Sequence, residues 1–363
     1  MNVPKGLSQD QIPVWLDCDP GHDDAFAILL AAHHPSFHLL GISTVHGNAS
    51  LIRTTENASR ILSAIGRPSI PVYPGARKPF CRTAVHAPDI HGISGLDGTN
   101  LLPPPPSGPP PTRSAVLAAR DALLSTPQNT AWIVSTGALT NVALLLSTFP
   151  EVVGWIAGLS VMGGSIGDKF TDAPLGTVAG DEDAQRVGNV TQWAEFNIYC
   201  DPEAAQALFM NPNLRPKIIL IPLDVTHLAF ATESVRDLVL RGPDLNSPVT
   251  VLRQLLHDLL VFFASTYQNV FGISAGPPLH DPLAVAVLLP SDEVQFEFAQ
   301  GERWIVEVVT DGLHGQGGSM VGRTIVRKLP EGEHGIRIPR GLKVDAFWSM
   351  LEQCIARAER YSE

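Results

Sequence analysis

Residues 14–30 read VWLDCDPGHDDAFAILL. Two apolar runs flank a segment that holds four aspartates, Asp17, Asp19, Asp23 and Asp24. The first run, Val14 to Cys18, has the continuous apolar character of a strand buried on both faces. The second, His22 to Ala32, carries Phe26, Ile28, Leu29 and Leu30 and fits a helix. A strand that feeds directly into a helix is the first half of a βαβ unit, from which parallel sheets are built. Carboxylates crowded at such a junction repel one another, and each costs energy to desolvate. Capping a helix uses acidic residues too, but four exceed what a cap needs. The pattern calls for a cation at the junction, or a substrate on which the carboxylates act.

The same alternation recurs along the chain. Phe37 to Val45 reads as a strand and Leu51 to Ile65 as a helix. Trp132 to Thr136, Leu139 to Leu146 and Leu159 to Met162 repeat strand, helix, strand. Lys217 to Leu223 is strand-like and precedes a helical stretch from Thr232. Val249 to Gln268 predicts a long helix, Asp281 to Leu288 another, and Val344 to Tyr361 a last one. Glu293 to Phe298 and Trp304 to Val309 alternate like the two strands of a hairpin. The tract LLPPPPSGPPPT, residues 101–112, can neither continue a helix nor pair in a sheet, and is expected to be a stiff surface loop. Gly163 to Gly188, rich in Gly and Asp, is also expected to be a loop. The expected class is α/β, with a mostly parallel central sheet flanked by helices in one large domain over 1–363.

Hydrophobic residues make up 44% of the 363-residue chain, enough for a sizeable core. The net charge of -11 argues against a nucleic-acid backbone as partner, since phosphates demand a basic stripe. A small molecule or a metal ion suits the balance better. No apolar run is long enough to span a membrane. The N-terminal MNVPKGLSQDQIP is polar, so no secretory signal is expected. Cys18, Cys81, Cys200 and Cys354 form no CxxC pair and are expected to be reduced thiols of a cytoplasmic protein.

In open α/β sheets, sites form at the carboxyl ends of the strands. The first aspartates lie at such an end, and Asn48, Thr136, Met162 and Asp224 follow other strand-like runs. Glu195 and Asn197 of WAEFN, with His280 and Asp281 of LHDP, add polar groups able to converge there. Nine further histidines, His33, His34, His38, His46, His86, His227, His257, His314 and His334, show no HExxH-type spacing and are read as surface or core residues.

DCDPGHDD resembles the N-terminal signature of the inosine–uridine-preferring nucleoside hydrolases. STGALTN, VMGGS, AEFNIYCDPEAA and HDPLAV match later signatures in the same order, over about residues 13–290. The resemblance implies an open, Rossmann-like fold and Ca²⁺-dependent hydrolysis of the N-glycosidic bond of ribonucleosides. It also implies a homodimer or homotetramer. It assigns Asp19, Asp24, the backbone carbonyl of Thr136 and Asp281 to Ca²⁺, with Asp19 also the general base. Asp23 and Asn197 would hold the ribose 2′- and 3′-hydroxyls, and Asn189 and Glu195 the 5′ end. Met162 would lie against the sugar, Asn48 would reach the ribose or support the metal shell, and Asp17 would back that shell. His280 is the candidate near the leaving base. His91, in DIHGISGLDG (89–98), is a second, because this block resembles the pyrimidine-preferring and broad-specificity branch. Tyr267 and Gln268 would also face the base.

Departure of a sugar from its base builds positive charge on the ribose, which carboxylates stabilise. Ca²⁺ is a hard ion that takes oxygen ligands and acidifies a bound water. Two other readings compete. A DxD at a strand end also opens aspartate-nucleophile phosphatases, but a small hydroxylic residue then follows where Gly21 stands. A non-enzymatic nucleoside or Ca²⁺ binder is the other, since fold alone does not fix activity.

Overall fold

Every residue from Val14 to Cys18 is buried, and this strand lies at the centre of the main sheet. The computed structural model describes residues 11–105, 112–178, 181–244 and 248–362. In chain order the strands are β1 (Ile12–Cys18), β2 (Phe37–Thr44), β3 (Val72–Pro74), β4 (Trp132–Ser135), β5 (Gly158–Met162), β6 (Thr177–Val178) and β7 (Asp181–Gln185). They continue with β8 (Ile218–Ile221), β9 (Phe296–Glu297), β10 (Trp304–Val308), β11 (Thr324–Lys328) and β12 (Gly341–Leu342). Six of them form one sheet in the order β3-β2-β1-β4-β5-β8, all parallel.

The chain leaves β1 toward β2 and β3, then returns to the other side of β1 for β4, β5 and β8. The strand order therefore reverses between β1 and β4, which opens a crevice at their carboxyl ends. Helices cover both faces. Val14, Leu16 and Cys18 pack into one apolar cluster with the helices Asp24–His33, Val251–Phe271, Asp281–Ala286 and Val344–Ser362. Trp15 points the other way, into a cluster with Ala118, Leu123, Val142 and Leu145 of the helices Ala115–Leu124 and Thr140–Thr148. Burial on both faces explains why β1 shows no alternation in sequence.

Three expectations need correction. Glu293–Phe298 and Trp304–Val309 do not pair with each other. β10 pairs antiparallel with β11, and β9 with β12. Alternation identifies a half-buried strand but not its partner. Trp304, Val306 and Val308 bury one face of β10 against the second cluster, and that packing selects β11. Gly163–Gly188 is not loop throughout, since β6 and β7 pair antiparallel within it. Asp224 does not end a strand. β8 stops at Ile221, and Asp224 lies in the one-turn helix Leu223–Thr226. Of the Pro-rich tract, residues 106–111 lie outside the described residues. The four cysteines are free thiols. Among the described residues, no helix is long and apolar enough to cross a membrane.

One buried cation ties the helical layer together. Arg253 of the helix Val251–Phe271 donates to Glu359 Oε1 and Glu352 Oε1, each at 2.9 Å, and to the Val239 carbonyl at 3.0 Å. Arg253→Leu strands two partly buried glutamates. It is expected to cost about 3 kcal/mol, since removing one partner of a buried pair leaves the other uncompensated. Urea unfolding should show a lower midpoint at unchanged slope.

Candidate active site

The loop after β1 carries the acidic cluster. Asp24 opens the helix Asp24–His33, and its carboxylate is fully satisfied: Gly21 N–H donates to Oδ2 at 2.9 Å, Asn48 Nδ2 to Oδ2 at 3.3 Å, and Thr136 Oγ1 to Oδ1 at 2.9 Å. Asp17 Oδ1 accepts from the Ser43 hydroxyl and, at 2.8 Å, from Asn141 Nδ2. Asp17 thus stands behind the loop, as expected. Asp19 Oδ2 accepts from the Asn48 backbone N–H at 2.7 Å, whereas Asp19 Oδ1 is buried and has no hydrogen-bond partner. Two glycines leave room for this carboxylate. A Cβ at Gly47 would sit 1.9 Å from Asp19 Oδ2, and one at Gly137 2.5 Å from Asp19 Oδ1.

Asp281 arrives from the N-terminus of the helix Asp281–Ala286. Asp23, Asp24 and Asp281 each offer a carboxylate oxygen, all within 4.8 Å of one another. Burial and mutual repulsion push these acids up. Asp23 rises to about 7 through burial and the charge of Asp24. Asp24 rises to about 6, chiefly through burial. Asp19 and Asp281 are held well above the carboxylate range by burial and neighbouring aspartates. The donor set of Asp23, Asp24 and Asp281 is all oxygen, buried and anionic, and the orphaned Asp19 Oδ1 belongs to the same loop. Such a set fits a hard divalent cation. The cluster can hold a metal ion.

Next to the acids lie the groups expected at the sugar. Asn197 Nδ2 donates to the Thr136 carbonyl at 2.9 Å and lies 3.3 Å from Met162 Sδ. Glu195 caps the helix Phe196–Cys200, accepting from the N–H groups of Asn197 at 2.8 Å, Ile198 at 3.0 Å and Gly164 at 2.8 Å. Asn189 Oδ1 accepts from Phe196 N–H at 2.8 Å, which places Asn189 beside Glu195.

The other end is aromatic. Phe263 of the long helix stacks near His91 and meets Tyr267 edge-on, with ring centroids 5.3 and 4.7 Å apart. Tyr267 Oη lies 2.6 Å from His280 Nε2, and His280 Nδ1 lies 2.7 Å from Thr226 Oγ1. Burial holds His280 and His91 well below the usual imidazole range, so both rings are neutral.

These groups line one cavity of about 240 Å³, room for a small molecule and not a polymer. Asp23, Asn48, Thr136, Met162, Asn189, Glu195, Asn197 and Asp281 form its polar end. Ile90, His91, Phe263, Tyr267, Val270, Phe271 and His280 form its aromatic end. Asp19 and Asp24 lie beneath the polar end and do not line it.

Two candidates fall elsewhere. Gln268 is exposed and does not line the cavity: one step past Tyr267 on a helix turns the side chain away by 100°. Asp224 accepts from the N–H groups of Ile166 and Gly167 at 2.8 and 2.9 Å, so it folds the Gly163–Gly167 turn instead. Phe263, Phe271, Thr226 and His22 also belong to this region, and no motif in the sequence marks them out. Phe263 and Phe271 each lie one turn from Tyr267 on the helix, one on either side, a periodicity that points to them. His22 sat inside the DCDPGHDD block, overshadowed by its aspartates.

A family profile described as inosine-uridine preferring nucleoside hydrolase matches residues 14–349. The chain is 38% identical to the uridine nucleosidase of Saccharomyces cerevisiae over 98% of its own length and 99% of the relative's. It is 38% identical to the pyrimidine-specific ribonucleoside hydrolase RihA of Shewanella woodyi, over 85% of this chain and 88% of that one. Among solved structures, the purine-preferring ribonucleoside hydrolase from Gardnerella vaginalis superposes with a TM-score of 0.77 at 26% identity, covering 96% of this chain and 99% of that one. With the match spanning nearly the whole chain, the protein belongs to the inosine–uridine preferring nucleoside hydrolases and is an enzyme that cleaves the N-glycosidic bond of ribonucleosides.

Proposed function

We propose that this hydrolase uses Ca²⁺ and prefers pyrimidine ribosides, uridine first. The observation that carries the reading is the two-ended cavity: buried carboxylates at one end, neutral aromatic and hydrogen-bonding groups at the other. Relatives named for uridine and for pyrimidine ribosides support the base preference. The phosphatase alternative falls with the family assignment.

Asp19, Asp24, Asp281 and the Thr136 carbonyl would hold the ion, with Asp23 at its cavity side. When bound, Ca²⁺ holds and acidifies a water and relieves the repulsion among the carboxylates. Asp19 then takes the proton of the attacking water. Asp23 and Asn197 fix the ribose 2′- and 3′-hydroxyls, Asn48 supports them, Met162 lies under the ring, and Asn189 and Glu195 meet the 5′ end. The carboxylates face the charge that develops on the sugar as the C1′–N bond breaks. The bonding electrons leave with the base, which needs a proton. His280 has both ring nitrogens engaged, so Tyr267 carries that contact into the cavity and His280 supports it from behind. His91 meets the base from the opposite wall.

The defining experiment is ribose release from uridine, cytidine, inosine, adenosine and nicotinamide riboside, each with and without EDTA. Uridine should lead, and EDTA should abolish turnover. EDTA-resistant activity would remove the ion, and a purine leading would remove the base preference. Asp19→Ala should lower kcat by at least about 10³-fold, since the proton acceptor goes with an ion ligand. Near-wild-type kcat would remove that role. Tyr267→Phe and His280→Ala should each slow uridine more than p-nitrophenyl riboside, whose leaving group needs no proton. Equal losses on both substrates would speak against proton delivery from this pair.

A further inference from the structure

Arg186 is the one lysine or arginine among the described residues that line the cavity. It directly follows β7, so the β6–β7 pair carries it to the cavity wall. Its Nε donates to the Gly188 carbonyl at 2.8 Å and its Nη2 to the Asn189 carbonyl at 2.7 Å. Its guanidinium carbon lies 5.0 Å from the centre of the Phe271 ring. Phe271 packs on Tyr267 with ring centroids 4.9 Å apart, and Tyr267 Oη reaches His280 Nε2 at 2.6 Å. The charge therefore stands at the aromatic end, between Asn189 and the rings that lead to His280. Two carbonyls and a ring face hold the guanidinium on that wall.

Hydrolysis moves negative charge toward this end. The water oxygen bonds to C1′ and gives up a proton, and the electron pair of the C1′–N bond leaves with the base. A uracil departs with that charge spread over N1, O2 and O4 until it takes up a proton, and hypoxanthine spreads it over its own ring nitrogens and carbonyl. The carboxylates that stabilise the sugar oppose a second negative charge nearby. A fixed guanidinium beside the base has the opposite sign and acts where the charge appears. Arginine stays charged, so its help does not wait on a proton. A base that leaves without charge gains nothing from it. Nicotinamide riboside is such a substrate: its pyridinium is positive when bound and departs neutral.

We propose that Arg186 is a specificity-determining residue, whose charge favours bases that depart as anions and disfavours substrates whose base is already cationic. The proposal rests on the reading that the aromatic end receives the base, and it holds for pyrimidines and purines alike. Arginine suits the position better than lysine as a fixture, because its planar fork spans two successive carbonyls while one face meets a ring. The charge it brings is common to both residue types, and that separates the two contributions in an experiment.

The test compares kcat/KM for uridine with kcat/KM for nicotinamide riboside in the Ca²⁺-loaded enzyme. Arg186→Gln keeps a hydrogen-bond donor and loses the charge. It should lower the uridine-to-nicotinamide riboside ratio by at least about tenfold, through loss on uridine, while KM for nicotinamide riboside does not rise. Arg186→Lys keeps the charge and gives up the two-carbonyl span, so its ratio should stay within about threefold of wild type. If Arg186 only braces the Gly188–Asn189 backbone, Arg186→Gln slows both substrates alike and the ratio does not move, which overturns the proposal. A ratio that collapses in Arg186→Lys also overturns it, even if Arg186→Gln does not fold. Should the wild-type enzyme bind nicotinamide riboside without cleaving it, its inhibition constant against uridine hydrolysis is read instead. That constant should tighten in Arg186→Gln, and an unchanged or weaker one overturns the proposal. A wild-type enzyme that favours inosine over uridine defeats the base preference alone. The ratio is then taken with inosine, and it decides the role of Arg186 in the same way.

Discussion

Packing several carboxylates into one buried volume is the constraint on which this structure turns. Asp17, Asp19, Asp23, Asp24 and Asp281 are all buried, and none forms an ion pair with a described Lys or Arg. Backbone and side-chain donors satisfy Asp24 and one oxygen of Asp17, but Asp19 Oδ1 and Asp17 Oδ2 have no partner. Unpaired buried charge costs several kcal/mol per group unless something positive arrives or a proton binds. The sheet topology makes the arrangement possible. At the reversal between β1 and β4, two loops diverge and leave a space that helices on either face do not fill. The glycines at 47 and 137 keep that space clear around Asp19.

Much of this was readable in the sequence, because local pattern and tertiary environment agree where the core is deepest. β1, β2 and β4 are short apolar runs, each followed by a helix, and a parallel sheet accommodates that. The pairing of β10 with β11 was not readable. Trp304 to Val308 shows a half-buried strand, but its partner is fixed by what lies under Trp304 and Val306. The β6–β7 pair was obscured by the Gly and Asp content of its surroundings, which signals turns more strongly than strands.

At the site, legibility followed chemistry. Acidic and amide groups near strand ends stood out because burying them needs a reason. The aromatic end did not stand out, because Phe263 and Phe271 look like any residues on the apolar face of a helix. Gln268 illustrates the same limit: polarity beside a tyrosine suggested a base contact, and helix geometry sent it to solvent. His22 was hidden differently. Its surroundings are set by three neighbours distant in sequence, His91, the Asp97 carbonyl and Phe262, and no spacing rule encodes such a meeting.

The two ends of the cavity differ in how they act as well as in what they are made of. At the sugar end, charge acts over distance, and its sign matters more than its direction. That suits a reaction centre whose charge develops in the transition state. At the base end burial strips His91, His280 and Tyr267 of charge, holding the two imidazoles below their ordinary range and the phenol above its own. A neutral ring retains only direction: one nitrogen donates and the other accepts. Cationic histidines there would be drawn to the aspartates across the cavity and would compete with any ion for them. Neutral histidines held by fixed partners can discriminate among bases without disturbing the carboxylates that work on the sugar.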